Sequence, residues 1–213
     1  KGLPEQRERW SLFSGTDPYV RRLFSDRESA AAAAEWIERD FLGEHEALLG
    51  RDLGSLLPRA FPAECLDISK AADEILGRIE RGAARVRATF TGHLGDPGIP
   101  TSVYYLYYED ENRRNLTADE GHYRSVFSSR SVFTVVPNRM LGDASVSPGM
   151  AIALDAREVL PPFFPVLHAE DFVFGAALWQ SGPANVLGHL PFAVLHEPPP
   201  GKPILTPEQL DED

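Results

Sequence analysis

The sequence predicts an α/β fold, a mixed sheet covered by helices, and three observations carry that expectation. Apolar residues recur with a helical period over residues 68–79. The period changes to two directly afterwards, over 85–91, and short β-branched or apolar runs then continue to residue 196, broken by one further helical stretch. With 213 residues, 43% of them hydrophobic, the chain can bury one domain or two small ones and is not disordered as a whole.

Residues 1–83 read as a helical region packing on the sheet. Asp26 or Ser25 caps a helix expected over 27–42, with alanines at 30–34, Trp36, Ile37 and Phe41 at helical spacing, and Gly43 as its stop. A second helix is expected from Glu44, and Pro58 and Pro62 break the pattern that follows. Ile68, Ala71, Ala72, Ile75, Leu76 and Ile79 share one face of an amphipathic helix begun at Asp67 and stopped by Gly82.

Residues 84–200 read as an α/β region. Val86, Ala88 and Phe90 alternate with Arg85, Arg87, Thr89 and Thr91, the pattern of a half-buried strand. The run from Gly92 to Gly98 reads as a turn, and Glu109-Asp110-Glu111 as a solvated hairpin turn. Further strands are expected over 103–108, 131–136 and 150–154, a helix over 169–180 and an extended segment over 185–196. Residues 201–213 form an acidic, proline-rich tail.

Charge and composition exclude several functions. The net charge is −11, the arginines are scattered, and no basic run interleaves with aromatics, so nucleic acid is not an expected partner. The single cysteine, Cys65, excludes an intrachain disulfide framework and a Cys-based zinc site. It fits a reducing compartment, and a cytoplasmic location is expected. No apolar run approaches the roughly 18 residues of a membrane span. Phosphate-loop, dinucleotide-binding, H-E-x-x-H and G-x-S-x-G motifs are all missing.

The densest chemistry-bearing stretch lies between Gly149 and Pro198. It holds Leu160-Pro161-Pro162-Phe163-Phe164-Pro165, then Ala169-Glu170-Asp171-Phe172-Val173-Phe174-Gly175, then Gly188-His189 and Val194-Leu195-His196-Glu197. A rigid aromatic-proline loop thus leads to two adjacent carboxylates in the first turn of a helix, where a carboxylate can serve as a general base in an enclosed site. The same residues also suit ordinary helix capping. The His196 imidazole suits a divalent metal, or a structural hydrogen bond. Turn chemistry alone accounts for Asp96. Tyr104, Tyr105, Tyr107 and Tyr108 suit either sugar stacking or packing, His189 reads as solvent-facing, and Cys65 reads as inert.

The ordered set from Gly149 to His196 resembles the C-terminal half of glycosyltransferases of the GT-A fold, over roughly residues 84–200. The resemblance implies a GT-A-like sheet and transfer of a sugar from a nucleotide-sugar donor to an acceptor hydroxyl. On it Asp171, or Glu170, matches the catalytic base, and His196 matches a late metal-ligand histidine for Mg²⁺ or Mn²⁺. Asp96, Gly95 and Gly175 match positions beside donor or acceptor. The sequence departs from the family where a nucleotide-binding half would end in Asp-x-Asp after an apolar strand. Its literal Asp-x-Asp is Asp211-Glu212-Asp213 in the tail, so that half either precedes Lys1 or has been lost. Two other readings stay open: a non-catalytic sugar- or partner-binding module, and a metal-dependent hydrolase using Asp96, Asp171 and His196.

Overall fold

A computed structural model describes residues 9–15, 17–57, 63–81, 84–96, 110–127, 129, 131–143, 146–148, 151–164 and 170–197. In chain order the first elements are β1 (Trp10–Phe13), β2 (Val20–Leu23), α1 (Arg27–Ala32), α2 (Phe41–Glu46), α3 (Leu53–Leu56), β3 (Leu66–Lys70), α4 (Asp73–Glu80) and β4 (Arg85–Gly95). Then follow α5 (Asp110–Leu116), α6 (Glu120–Phe127), β5 (Val132–Val135), β6 (Arg139–Gly142), β7 (Ile152–Leu154), α7 (Glu170–Gln180) and β8 (Asn185–His196). The result is a mixed α/β fold whose residues gather into two compact units. Residues 1–19, 38–91 and 136–191 make the first, and 20–37, 92–135 and 192–213 the second.

In the first unit the strands follow the order β4-β8-β6-β1-β3, with β7 also on β4. The sheet is mixed: β1 runs parallel to β3 and β6, whereas β6 pairs antiparallel with β8 and β4 with β7. Ala88 and Phe90 of β4 pack with Phe174 and Leu178 of α7 and Leu187 of β8, and Ile152, Leu154 and Leu160 close the rim. A fully buried side chain of this size contributes about 1.5–3 kcal/mol. A second cluster joins Phe13, Tyr19, Val136, Met140 and Val146. Arg78 of α4 locks the far end of α7. Its Nη1 donates to the carbonyls of Trp179, Gly182 and Asn185 at 3.1, 3.1 and 2.8 Å, and its guanidinium lies 3.3 Å from the Trp179 ring centre. A cation there satisfies carbonyls that a helix end leaves open and complements the helix dipole.

In the second unit β2 pairs antiparallel with β5, and β5 with the last residues of β4. Leu23 and Val132 pack with Leu116 of α5 and Val126 of α6, and Tyr123 lies against them. Two glycines permit this pairing. A Cβ on Gly92 would fall 1.9 Å from the Thr134 carbonyl oxygen, and Gly95 has φ +106° with the His196 carbonyl oxygen 2.4 Å from where its Cβ would be.

Several sequence expectations change in the structure. The helix over 27–42 is two short ones, α1 capped by Asp26 and α2 capped by Asp40, each carboxylate accepting an N–H three residues on. The alanine run has helix propensity but little to bury: Ala30 is buried, while Trp36 and Ile37 remain 60% and 53% exposed. Short helices without an apolar face against a core do not sustain themselves. The Trp36 indole N–H donates to the Ala31 carbonyl near the end of α1 at 3.2 Å.

The helix begun at Asp67 starts only at Asp73, because residues 66–70 form β3 and ladder with β1. Backbone pairing overrides the helical pattern there and leaves Ile68 exposed. The residues up to Gly95 in the expected turn continue β4 instead, and Asp110 opens a helix rather than turning a hairpin. Expected strands at 85–91, 131–136 and 150–154, the helix to Gln180 and the extended segment 185–196 all form, shortened at some ends. The strand expected over 103–108 and the tail 201–213 lie outside the described residues.

Leu178→Ala, at the fully buried heart of the α7 contact, is expected to cost about 2–5 kcal/mol in urea denaturation, and Phe172→Ala, on the exposed side of the same helix, less than about 1 kcal/mol.

Candidate functional site around the first turn of α7

Glu170 is exposed and Asp171 half-buried in the first turn of α7. Asp171 Oδ1 accepts the Phe172 N–H at 2.9 Å, and the Asp171 carbonyl accepts the Ser147 hydroxyl at 2.8 Å. Ser147 is itself fully buried, so it ties the helix start to the interior. Phe163 stacks on Phe174 of α7, with 3.9 Å between ring centres and 5° between planes. Val159, Phe163, Phe164, Phe172 and Val173 are exposed. The carboxylates therefore open a helix that exposes Phe172 and Val173 directly after them and is tied down at its start by Ser147. Negative charge is favoured there, at the positive end of the helix dipole.

Gly175 lies buried in the second turn of α7, where backbone N–H groups are already committed to the helix. The remaining sequence candidates gather in the second unit. Gly95 ends β4, Asp96 follows it, and His196 ends β8 with its Nδ1–H donated to the Asp96 carbonyl. A carbonyl only accepts, so this contact fixes the proton on Nδ1 and leaves Nε2 as the one nitrogen for any ligand. Among the described residues no group of three or more His, Cys, Asp or Glu side chains is placed to hold a metal ion.

The polar interior of the first unit was not legible as such. His189, expected to face solvent, is fully buried in β8. Its Nδ1 shares a 2.8 Å hydrogen bond with the Tyr19 hydroxyl, its ring packs against Phe13 and stacks on Phe90 with centres 5.2 Å apart, and its Nε2 has no partner. Burial pulls its pKa down to about 3. His45 of α2 shares a 2.7 Å hydrogen bond with Thr89 of β4, and burial lowers its pKa against the raising effect of Glu44. Glu44 in turn accepts from Arg39 and Arg139, each at 2.6 Å, so Arg139 is held by a carboxylate. Arg87 of β4 is buried with Glu158 as its ion-pair partner. The signal that was present is the Arg87-x-Thr89-x-Thr91 alternation, read as a solvent face although a second layer covers it.

No helix among the described residues is long and apolar enough to cross a membrane. Comparison with protein-family models, curated proteins and solved structures finds no match to this chain.

A histidine held neutral in the folded state and free to protonate when unfolded takes up more protons in the unfolded chain. Stability therefore falls as pH drops from about 6.5 toward about 3, by about 1.4 kcal/mol per pH unit for His189 alone. Urea midpoints between pH 7 and pH 4 should show this slope, and His189→Leu should flatten it by about that amount whatever it does to stability at pH 7.

Proposed function

We propose that this chain is the acceptor-side part of a GT-A-like glycosyltransferase, with Asp171 as the general base. One observation carries the reading: the Glu170–Asp171 pair opens a helix anchored in the core, and the next residue, Phe172, is exposed and able to stack on a sugar ring. Asp171 accepts the proton of an acceptor hydroxyl as that oxygen attacks the anomeric carbon of a nucleotide-sugar. The bond from that carbon to the diphosphate oxygen breaks, and its electron pair leaves with the nucleoside diphosphate. Glu170, one residue earlier and more exposed, orients the acceptor. The Mg²⁺ or Mn²⁺ of the resemblance would rest on His196 alone among the described residues, which is too small a donor set for either ion.

A second reading, a non-catalytic sugar- or partner-binding module, is favoured by one feature: the only Asp-x-Asp is 211–213, with no apolar strand before it. A transfer assay with a panel of nucleotide-sugars and hydroxyl acceptors, run with and without Mn²⁺, separates the two. The transferase reading expects turnover that Asp171→Asn lowers by about 10²–10⁴ in kcat while Glu170→Gln loses far less. Saturable sugar binding with no turnover in any combination supports the binding module.

A further inference from the structure

We propose that the Asp67 carboxylate closes the outer edge of β3 against strand pairing with a second copy of this chain. Among the described residues β3 ends the strand order of the first unit and pairs with β1 alone. An end strand carries backbone groups that another strand can bond, and an apolar side chain on it favours that addition. β3 has such a side chain. Residues 67–70 are all exposed, and Ile68, the one large apolar side chain among them, is 49% exposed.

Register shows which backbone groups face outward. Phe13 pairs with Lys70, and the Ser14 N–H donates to the Lys70 carbonyl at 2.9 Å, so Lys70 turns its backbone toward β1. Successive residues of a strand turn their amides to opposite sides, which leaves the Ser69 N–H on the open side. That N–H is not offered to a partner: it donates to Asp67 Oδ1 at 2.9 Å. The carbonyl of the same peptide group, that of Ile68, accepts the Ala71 N–H at 3.0 Å where the chain turns toward α4. The peptide group beside the exposed apolar side chain is thus satisfied at both ends within the chain. The ladder with β1 also shifts register between Asp67 and Lys70, an irregularity that bends an edge away from a flat partner.

Charge completes the closure. Asp67 and Lys70 bracket the exposed step of the strand, and a second β3 laid against it would have to desolvate both. Hydrogen bonds from the Ser69 side chain and from its N–H hold the Asp67 carboxyl below its ordinary value, so it is ionised at neutral pH. Of the two charged residues Asp67 is the stronger guard, because it occupies the outward donor as well as adding a charge. If its bond to Ser69 served only to shape a local turn, replacing Asp67 would leave association between copies unchanged.

The test is sedimentation velocity of the full chain and its variants over a wide range of concentration. Asp67→Ala frees the outward N–H and is expected to self-associate more tightly than the unchanged chain by about tenfold or more, since a two-fold contact gains one hydrogen bond from each copy. Asp67→Asn keeps a carbonyl acceptor for Ser69 and should sediment as the unchanged chain does. Adding Ile68→Lys to Asp67→Ala puts a charge on the edge and should return association to its starting level. Asp67 and Ile68 are exposed, so these replacements leave the core as it is. Association of Asp67→Ala no tighter than that of the unchanged chain would overturn the proposal. So would equal association of Asp67→Asn, or association that Ile68→Lys fails to reverse. Because β3 shares no residue with the first turn of α7, either outcome leaves the transferase reading where it stands.

Discussion

The structure depends on one strand that is buried on both faces. From Val86 to Thr91, β4 has no residue more than 3% exposed. On one side Ala88 and Phe90 meet α7, and on the other Arg87 and Thr89 meet Glu158 and His45. A strand enclosed this way must be apolar where it meets a helix and must find a partner for each polar side chain on its other face. That requirement accounts for two of the side chain–side chain bonds of the first unit. His45 exists to serve Thr89, and the Arg87–Glu158 pair keeps a guanidinium inside. Some polar atoms stay unmatched even so, among them His45 Nε2 and Thr91 Oγ1.

The same strand sets the platform for the proposed chemistry. Because Phe90 and Ala88 fix one flank of α7, and Arg78 holds the Trp179 carbonyl near its C-terminus, the helix is pinned along its length and its first turn is presented from a fixed base. Ser147 holds the Asp171 carbonyl from within. A general base works only if its carboxylate stays within hydrogen-bond reach of the acceptor proton, and a helix pinned at both ends provides that constancy. Among the described residues Phe172 and Val173 are the exposed side of α7, so this apolar helix shows apolar side chains on its outer face.

Periodicity made much of the fold legible. The alternation at Val86, Ala88 and Phe90, the helical run to Gln180 and the extended run from Asn185 to His196 all appear in the structure as read. Where the reading failed, a nonlocal partner decided. Ile68 and Ala71 sit at helical spacing with Ile75, but β1 offers residues 66–70 a parallel ladder that no local pattern announces. The glycines of Gly92–Gly95 look like turn residues, and their real service is close approach between backbones, visible only once β5 and β8 are in place. Glu170, Asp171 and His196 stood out in the sequence, and the structure puts the first two at the start of α7 and the third in the other unit. The burial of His189 was not legible in the sequence, because burial of a polar residue on an alternating strand depends on what covers the strand.

Packed through Ala88, Phe90, Phe174 and Leu178, α7 and β4 form one rigid platform under the Glu170–Asp171 turn. Native-state amide hydrogen exchange tests it directly. The account predicts that the amides of Phe174 and Leu178 exchange as slowly as those of Ala88 and Phe90, through the same global opening. Exchange of the α7 amides at rates orders of magnitude faster than those of β4 would contradict it, since the carboxylates would then sit on a segment that opens on its own.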